Sequence, residues 1–164
     1  MPRRSIIIGV MGGADVCDHD RQAAYELGGL IAENGWILLN GGRNCGVMEA
    51  SAKGALEQGG ITVGILPDSD PNNISRFIQI PIITAMGSAR NSINVLSSNV
   101  VVACCGGAGT ISEIALALKH GKEVILLNFS VAPLFEYYRQ KGILTSARTP
   151  AEVIAVIKRL IINT

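Results

Sequence analysis

The chain is poor in aromatic residues, in net charge and in long apolar segments. Phe, Trp and Tyr make up 4% of its 164 residues, so a core must be built from aliphatic side chains. The formal net charge is +1, which creates no field to attract nucleic acid. No segment approaches the roughly 20 consecutive apolar residues that a membrane helix requires. We therefore expect neither a nucleic-acid-binding protein nor a membrane protein.

Several signatures of catalysis and metal binding are also missing. The four cysteines show no C-x-x-C spacing and the two histidines no metal-type spacing, so we predict no metal site. There is no Walker A lysine, no G-x-S-x-G turn and, after the first predicted strand, no G-x-G-x-x-G. The N-terminus lacks a signal-peptide pattern, and vicinal Cys104 and Cys105 are typical of reduced structural thiols. We expect a cytoplasmic protein.

The residues that are abundant point to an α/β fold. Apolar residues make up 48% of the chain, mean hydropathy is +0.36, and 19 residues are glycine. Aliphatic runs alternate with segments of helical periodicity, which predicts a Rossmann-like doubly wound parallel sheet with helices on both faces. Pro81 predicts an edge position for its strand. The predicted strands are residues 5–11, 36–40, 62–66, 78–83, 99–105 and 123–128. The predicted helices are residues 20–34, 47–58, 89–97 and 133–141, with further helices after the predicted N-caps Thr110 and Thr149.

Three glycine pairs follow predicted strands, at residues 12–13, 41–42 and 106–107. Because the carboxyl ends of parallel strands lie at one edge of a sheet, these turns should converge there. A glycine turn that leads into a helix leaves backbone N–H groups free at the positive end of the helix dipole, where phosphate binds. We therefore predict a site for a small phosphorylated ligand. Its candidate residues are Gly12, Gly13, Gly41, Gly42, Arg43, Gly46, Val47, Met48, Arg90, Asn91, Gly106, Gly107, Ala108, Gly109 and Thr110.

Glu113 allows two interpretations from its spacing. Thr110-x-x-Glu113 is the pattern of a capping box, in which Thr110 is the N-cap and Glu113 occupies the third helical position. Alternatively, its carboxylate lies beside the phosphate or sugar of the ligand, where it binds a hydroxyl or stabilises an oxocarbenium ion. The two interpretations are compatible if the carboxylate turns toward the cleft.

The other polar candidates also have two interpretations each. Arg90 and Arg43 are either solvated surface residues or phosphate ligands, for which a planar guanidinium is suited. Asn91 and Asn94 either lie on a helix surface, which spacing alone favours, or bind a base or ribose. The acidic residues at positions 68 and 70 favour a solvated loop over a metal site.

Two motifs carry a family resemblance. The motif G-G-x-x-x-G-V-M-E-A at residues 41–50 and the motif G-G-A-G-T-I-S-E at residues 106–113 together resemble the LONELY GUY (LOG) superfamily. The similarity extends over residues 6–125. The stretch 89–122 is most similar to a branch of small bacterial proteins related to the molybdenum cofactor carrier proteins and, more distantly, to the DNA-processing protein DprA. The lysine decarboxylase label used for this superfamily finds no support, because no lysine lies in a context for pyridoxal phosphate.

The resemblance implies a single Rossmann-like nucleotide-binding domain over residues 1–164, which assembles as a homodimer or a higher homo-oligomer. In phosphoribohydrolases of the superfamily, an arginine and the motif glutamate cleave the N-glycosidic bond of a nucleoside 5′-monophosphate; Arg90 and Glu113 match them and are the candidate catalytic residues. Asn91 replaces their usual lysine, Cys105 their proline and Ser112 an acidic residue. These departures favour binding of a nucleotide monophosphate or the molybdenum cofactor, with phosphoribohydrolase activity as the alternative.

Overall fold

A computed structural model describes residues 4–162. Within them, all strand pairs are parallel and form one seven-stranded sheet. The strands are Ile7–Met11 (β1), Ile37–Asn40 (β2), Thr62–Leu66 (β3), Ile80–Ile83 (β4), Val100–Ala103 (β5), Glu123–Leu127 (β6) and Leu144–Ala147 (β7). Their spatial order is β4-β3-β2-β1-β5-β6-β7. The helices are Asp18–Glu33 (α1), Gly46–Glu57 (α2), Asn91–Ser97 (α3), Ala108–Lys119 (α4), Glu136–Gln140 (α5) and Pro150–Ile162 (α6), and a 3-10 turn at Gly87–Arg90 precedes α3.

Helices cover both faces of the sheet, as the alternating sequence predicts. Successive residues of a strand point to opposite faces; Val100 and Val102 belong to the apolar cluster that α1, α2 and α6 complete. Val101 and Ala103 belong to the opposite cluster, which includes α3 and α4. A strand buried on both faces is expected to read as a continuous aliphatic run, as β5 does.

The strand order reverses at the centre of the sheet, between β1 and β5. From β1 the chain proceeds outward through β2 and β3 to β4, then crosses back to β5 and continues to β7. Right-handed crossovers then require helices on opposite faces for the two halves. The carboxyl ends of β1 and β5 therefore lie at a topological switch point, which is the usual ligand position in such sheets.

The sequence predicted most elements and missed one strand. The third predicted strand coincides with Thr62–Leu66, and β4 lies at an edge as Pro81 indicated. Strand β7 was not predicted, because only its two end residues are buried and pairing with β6 makes it a strand. Helix α5 is shorter than the predicted 133–141. Thr149 Oγ1 accepts the N–H of Glu152 as predicted, whereas the Glu152 carboxylate accepts the N–H of Arg148.

Strand β4 is exposed along its whole length, unlike the central strands. Pro81 removes one backbone N–H from this edge, which discourages further strand pairing. No helix within residues 4–162 is both long and apolar enough to span a membrane.

Candidate functional site

A cavity of about 230 Å³ lies at the carboxyl ends of the central strands. It combines backbone of the loops after β1, β2 and β5 with side chains from the 3-10 turn, α3 and α4. Three of its lining residues, Val10, Met11 and Ala14, were not predicted, because neither an aliphatic strand end nor an alanine in the following loop marks a site. The lining residues are Val10, Met11, Gly12, Gly13, Ala14, Gly41, Met48, Arg90, Asn91, Gly107, Gly109, Thr110 and Glu113.

The glycine turns after β1 and β5 are joined directly. The N–H of Gly13 donates to the carbonyl of Cys105 at 2.9 Å, and the N–H of Val47 donates to the carbonyl of Gly13 at 3.0 Å. A Cβ on Gly12 would lie 2.6 Å from the Val47 side chain. Gly46 has φ +52 and lies against the Gly13 carbonyl, so the start of α2 tolerates no side chain there. Turns distant in sequence therefore meet at one edge.

The turn after β2 is anchored by a buried asparagine. Asn40 donates from Nδ2 to the carbonyl of Met48 at 2.9 Å and to Ser51 Oγ at 3.1 Å, and its Oδ1 accepts the N–H of Gly42 at 2.8 Å. Asn40 was missed at the sequence level, although a polar residue that ends an aliphatic strand before a glycine pair is a usable signal. Its network fixes the position of Gly41 in the cavity wall.

Helix α4 begins at the cavity without a side-chain cap. Its N-cap is Gly107, not Thr110, so the predicted capping box at Thr110 and Glu113 is wrong. The helix starts earlier than predicted because the glycine turn itself supplies the cap position. A Cβ on Gly107 or on Gly109 would meet no atom within 4 Å. Backbone N–H groups of the first turn are therefore accessible from the cavity.

Glu113 is buried in the cavity wall and is 7% exposed. Helical side chains tilt toward the N-terminus, so its carboxylate lies along the turn that contains Gly109. Asn94 Nδ2 donates to Glu113 Oε1 at 2.8 Å. Burial raises the pKa of Glu113, while the Asn94 hydrogen bond and the positive charge of Arg90 oppose that rise. Asn94 is fully buried, so its predicted place on a helix surface is wrong.

Arg90 faces Glu113 within the same cavity. Its Nη1 donates to the carbonyl of Ile65 at 2.6 Å, and its Nε is buried without a hydrogen-bond partner. Burial lowers the pKa of Arg90, and the negative charge of Glu113 partly restores it. The guanidinium lies against Gly41, where a Cβ would clash with it. The surface interpretation of Arg90 is therefore wrong, and its charge is available to an anion in the cavity.

Six of the predicted binding residues lie outside the cavity wall. Arg43 instead forms an ion pair with Asp68, in which Nη2 lies 2.9 Å from both carboxylate oxygens. Asp68 is thus paired, whereas we expected it to be solvated. Gly46 and Val47 act by supporting the β1 turn. The six residues outside the wall are Gly42, Arg43, Gly46, Val47, Gly106 and Ala108.

Among residues 4–162, no group of three His, Cys, Asp or Glu residues is arranged to hold a metal ion.

A parallel sheet with helices on both faces and a cavity at its switch point define a Rossmann-like α/β protein. The chain belongs to the SLOG cluster4 family, whose sequence pattern matches residues 5–154. It is thus a LOG-like superfamily member, as the two glycine motifs indicated, and it is related to the molybdenum cofactor carrier proteins, as the stretch 89–122 indicated.

Two solved structures are similar over nearly the whole chain. The molybdenum cofactor binding protein of Rippkaea orientalis is 48% identical, with a TM-score of 0.90, over 96% of this chain and 98% of that one. The molybdenum cofactor carrier protein of Chlamydomonas reinhardtii is also 48% identical, with a TM-score of 0.88, over 96% and 99%. A cytokinin riboside 5′-monophosphate phosphoribohydrolase of Rhodococcoides fascians is 30% identical over 72% of this chain and 62% of its own length.

Proposed function

We propose that this protein binds a small phosphorylated ligand, a nucleotide or the molybdenum cofactor, in the cavity at the glycine turns and carries it unchanged. The uncapped first turn of α4 is the observation that carries the proposal, since Gly107, Gly109 and Thr110 line the cavity. Arg90 adds a partly buried positive charge with a free Nε donor. Together they form a site for one phosphate group.

The molybdenum cofactor enters this proposal as cargo. Both solved relatives that are 48% identical are described as proteins that bind or carry it. Its phosphate would be held by the backbone N–H groups of residues 107–110 and by Arg90. The missing side chains of Gly107 and Gly109 leave room for close approach of the ligand to the backbone.

Calorimetric titration with AMP and with molybdenum cofactor tests this site. Arg90→Ala should weaken binding of either ligand about tenfold or more, because charge-assisted contacts to phosphate contribute about 1.5–3 kcal/mol. Arg21→Ala, on α1 away from the cavity, is the matched control and should leave affinity unchanged. If the wild-type protein binds neither ligand at millimolar concentration, the proposal is wrong.

A second candidate function is hydrolysis of a nucleoside 5′-monophosphate to free base and ribose 5-phosphate. It is supported by the position of Arg90 and Glu113 on one cavity and by the 30% identical phosphoribohydrolase. Arg90 would orient the phosphate or ribose, and Glu113 would stabilise the cationic sugar. Chromatographic detection of free base decides between carriage and hydrolysis. Base release that disappears in Glu113→Ala would establish hydrolysis, and no release from any common monophosphate would eliminate it.

We also propose that the chain functions in the cytoplasm as a homodimer or a higher homo-oligomer and folds as one domain over residues 1–164. The exposed apolar side chains of β4, Ile80, Ile82 and Ile83, provide a surface on which copies could associate. Light scattering measures the assembly directly, and a monomer at micromolar concentration would contradict it.

A further inference from the structure

A groove of about 430 Å³ lies between the N-terminal parts of α1 and α2. This α1–α2 groove is formed by residues of the segments 18–25 and 44–53, and it shares no lining residue with the cavity at the glycine turns. Its volume falls within the roughly 300–1,000 Å³ that sites for small molecules enclose. The groove is therefore a separate compartment of sufficient size for a ligand of its own.

Glu49 lies in the wall of the α1–α2 groove, and its carboxylate lacks a partner. Its Oε2 is buried without a hydrogen bond. Among residues 4–162 the carboxylate takes part in no ion pair. The residue as a whole is only partly buried, so the groove gives access to the carboxylate from one side. A carboxylate that loses water from one oxygen without gaining a donor is stabilised by a cation from outside the chain.

The lysine that is best placed to neutralise Glu49 is paired elsewhere. Lys53 follows Glu49 by four residues on α2, the favourable order for a helical ion pair. Its Nζ instead lies 3.9 Å from Glu57 Oε1 and 5.8 Å from the centre of the Tyr25 ring. The Tyr25 hydroxyl donates to Glu57 Oε2 at 2.6 Å. Lys53 is thus held in a cluster with Tyr25 and Glu57, and Glu49 is left to another cation.

The charges around the α1–α2 groove leave it net negative. Arg21 Nε lies 4.0 Å from Asp18 Oδ1, and Glu57 balances Lys53. In the part of the chain that the structure describes, Glu49 is then the uncompensated charge of this surface. An unpaired carboxylate beside the apolar body of a tyrosine ring suits an organic cation, whose charge and carbon chain are both accommodated.

We propose that the α1–α2 groove binds a small organic cation, a primary amine or a guanidinium compound, through the Glu49 carboxylate. The ammonium or guanidinium group donates hydrogen bonds to Glu49, and the carbon chain of the ligand packs along Tyr25 and Ala50, which both line the groove. The inference goes beyond the proposed phosphate site and does not depend on it.

Titrations with n-butylamine and n-butylguanidine test the groove, and 1-butanol is the uncharged probe of matched size. Two-dimensional NMR of the backbone amides both measures affinity and locates the binding site. At least one of the two cations should bind at millimolar concentration and shift the signals of residues 18–25 and 44–53, whereas 1-butanol should not. The tighter of the two cations identifies the head group that the groove prefers. Binding of neither cation would overturn the inference.

Glu49→Gln removes the charge of the carboxylate and keeps the shape of the side chain. It should weaken binding of the preferred cation about tenfold or more, because hydrogen bonds to a charged group are the strong ones. Glu33→Gln, an exposed carboxylate at the end of α1 outside the groove, is the matched control and should leave affinity unchanged. Circular dichroism verifies that both variants are folded.

Lys53→Met supplies a second test with the opposite sign. It removes a positive charge from the wall of the groove, so affinity for the cation should rise about twofold to threefold at low salt and less at high salt. Lys119→Met, an exposed lysine at the end of α4 on the opposite face of the sheet, is the matched control and should have no effect. Lower affinity in Lys53→Met would contradict the inference even if Glu49→Gln did not fold.

Three further results separate this inference from the proposed function. If AMP displaces the cation, or if Glu49→Gln leaves its affinity unchanged, the cation binds elsewhere and the inference is overturned. If Glu49→Gln instead changes the oligomeric state, the partner of Glu49 is a cation of a second copy, and the small-molecule site is overturned. If AMP fails to bind while a cation still shifts the groove signals, the phosphate site is lost and the inference about the α1–α2 groove is supported.

Discussion

Asn94 on α3 donates a hydrogen bond of 2.8 Å to Glu113 on α4, and this contact joins the candidate site to the core. Asn94 is fully buried, and its Oδ1 is buried without a partner. The contact between α3 and α4 therefore sets the position of the Glu113 carboxylate, together with the attraction of Arg90. A change in the packing of the core below the cavity should therefore shift the Glu113 carboxylate.

Glu113→Gln should change how stability depends on pH. Burial raises the pKa of Glu113 in the folded state, so the folded protein holds this proton more tightly than the unfolded chain. The stabilising contribution is fully present below the unfolded value and is lost as pH rises through the folded pKa. Relative to wild type, Gln should therefore become more favourable across that window, by up to about 1.4 kcal/mol per pH unit.

Urea denaturation at a series of pH values from about 4 upward, beginning in the ordinary carboxyl range, measures this difference. Gln retains an oxygen that can accept the Asn94 hydrogen bond. Glu33→Gln, an exposed carboxylate at the end of α1, is the matched control. A flat difference between Glu113→Gln and wild type across the window would contradict the raised pKa.

Gly109→Ala should stabilise the fold and weaken ligand binding. Gly109 lies in the first turn of α4, and its Cβ would meet no protein atom within 4 Å. Alanine should increase the free energy of unfolding by about 0.5 kcal/mol, because glycine loses more backbone entropy in a helix. The added methyl group occupies space at the cavity, so AMP affinity should fall.

Gly29→Ala in α1 is the control for this pair of effects. Its Cβ would lie 3.4 Å from the Gln58 side chain, an ordinary contact far from the cavity. It should stabilise the protein to a similar degree and leave AMP affinity unchanged. Thermal unfolding and calorimetry measure the two quantities, and unchanged AMP affinity in Gly109→Ala would show that the ligand does not approach this turn.

Gly41→Ala should displace the Arg90 guanidinium. A Cβ at this position would lie 2.6 Å from Met48 Sδ and 2.9 Å from Arg90 Nη2, so the flexible side chains must move. Because Arg90 is the cationic contact to phosphate in the proposed site, we expect AMP affinity to fall about tenfold, which corresponds to about 1.4 kcal/mol. Calorimetry measures the affinity, and wild-type binding by a folded Gly41→Ala would rule out a role for Arg90 in its present position.

The thiols should differ strongly in reactivity. Burial raises the pKa of Cys104 to about 12, and the thiolate is the reactive form. Cys17 is exposed. Brief treatment of the native protein with iodoacetamide should label Cys17 and spare Cys104, as peptide mapping by mass spectrometry would show. Labelling in urea is the control, because all four cysteines should then react; equal labelling of Cys17 and Cys104 in the native protein would contradict the burial of Cys104.

Local sequence was sufficient for the parallel architecture and for the edge where the glycine turns converge. Aliphatic runs such as residues 100–103 are buried on both faces, and that burial is encoded in the run itself. Gly46 is required because the start of α2 lies so close to the carbonyl of Gly13 that no side chain fits. The position of such a glycine in the sequence therefore predicts a turn. Pro81 likewise indicates that its strand lies at the edge of the sheet.

Contacts between residues that are distant in sequence decided the other features of the fold and the site. The spacing of Thr110 and Glu113 is that of a capping box. The Glu113 carboxylate instead accepts a hydrogen bond from Asn94, nineteen residues away, and this contact forms only when α3 and α4 pack together. Strand β7 has too little apolar character to form alone and becomes a strand by hydrogen bonding to β6. Arg43 pairs with Asp68 across two loops, while Arg90 enters the cavity over Gly41. The sequence by itself determined the aliphatic strands and the glycine turns, because those depend on neighbouring residues. Only the tertiary structure decided that β7 is a strand and which polar side chains meet, because hydrogen bonds and burial depend on distances between distant segments.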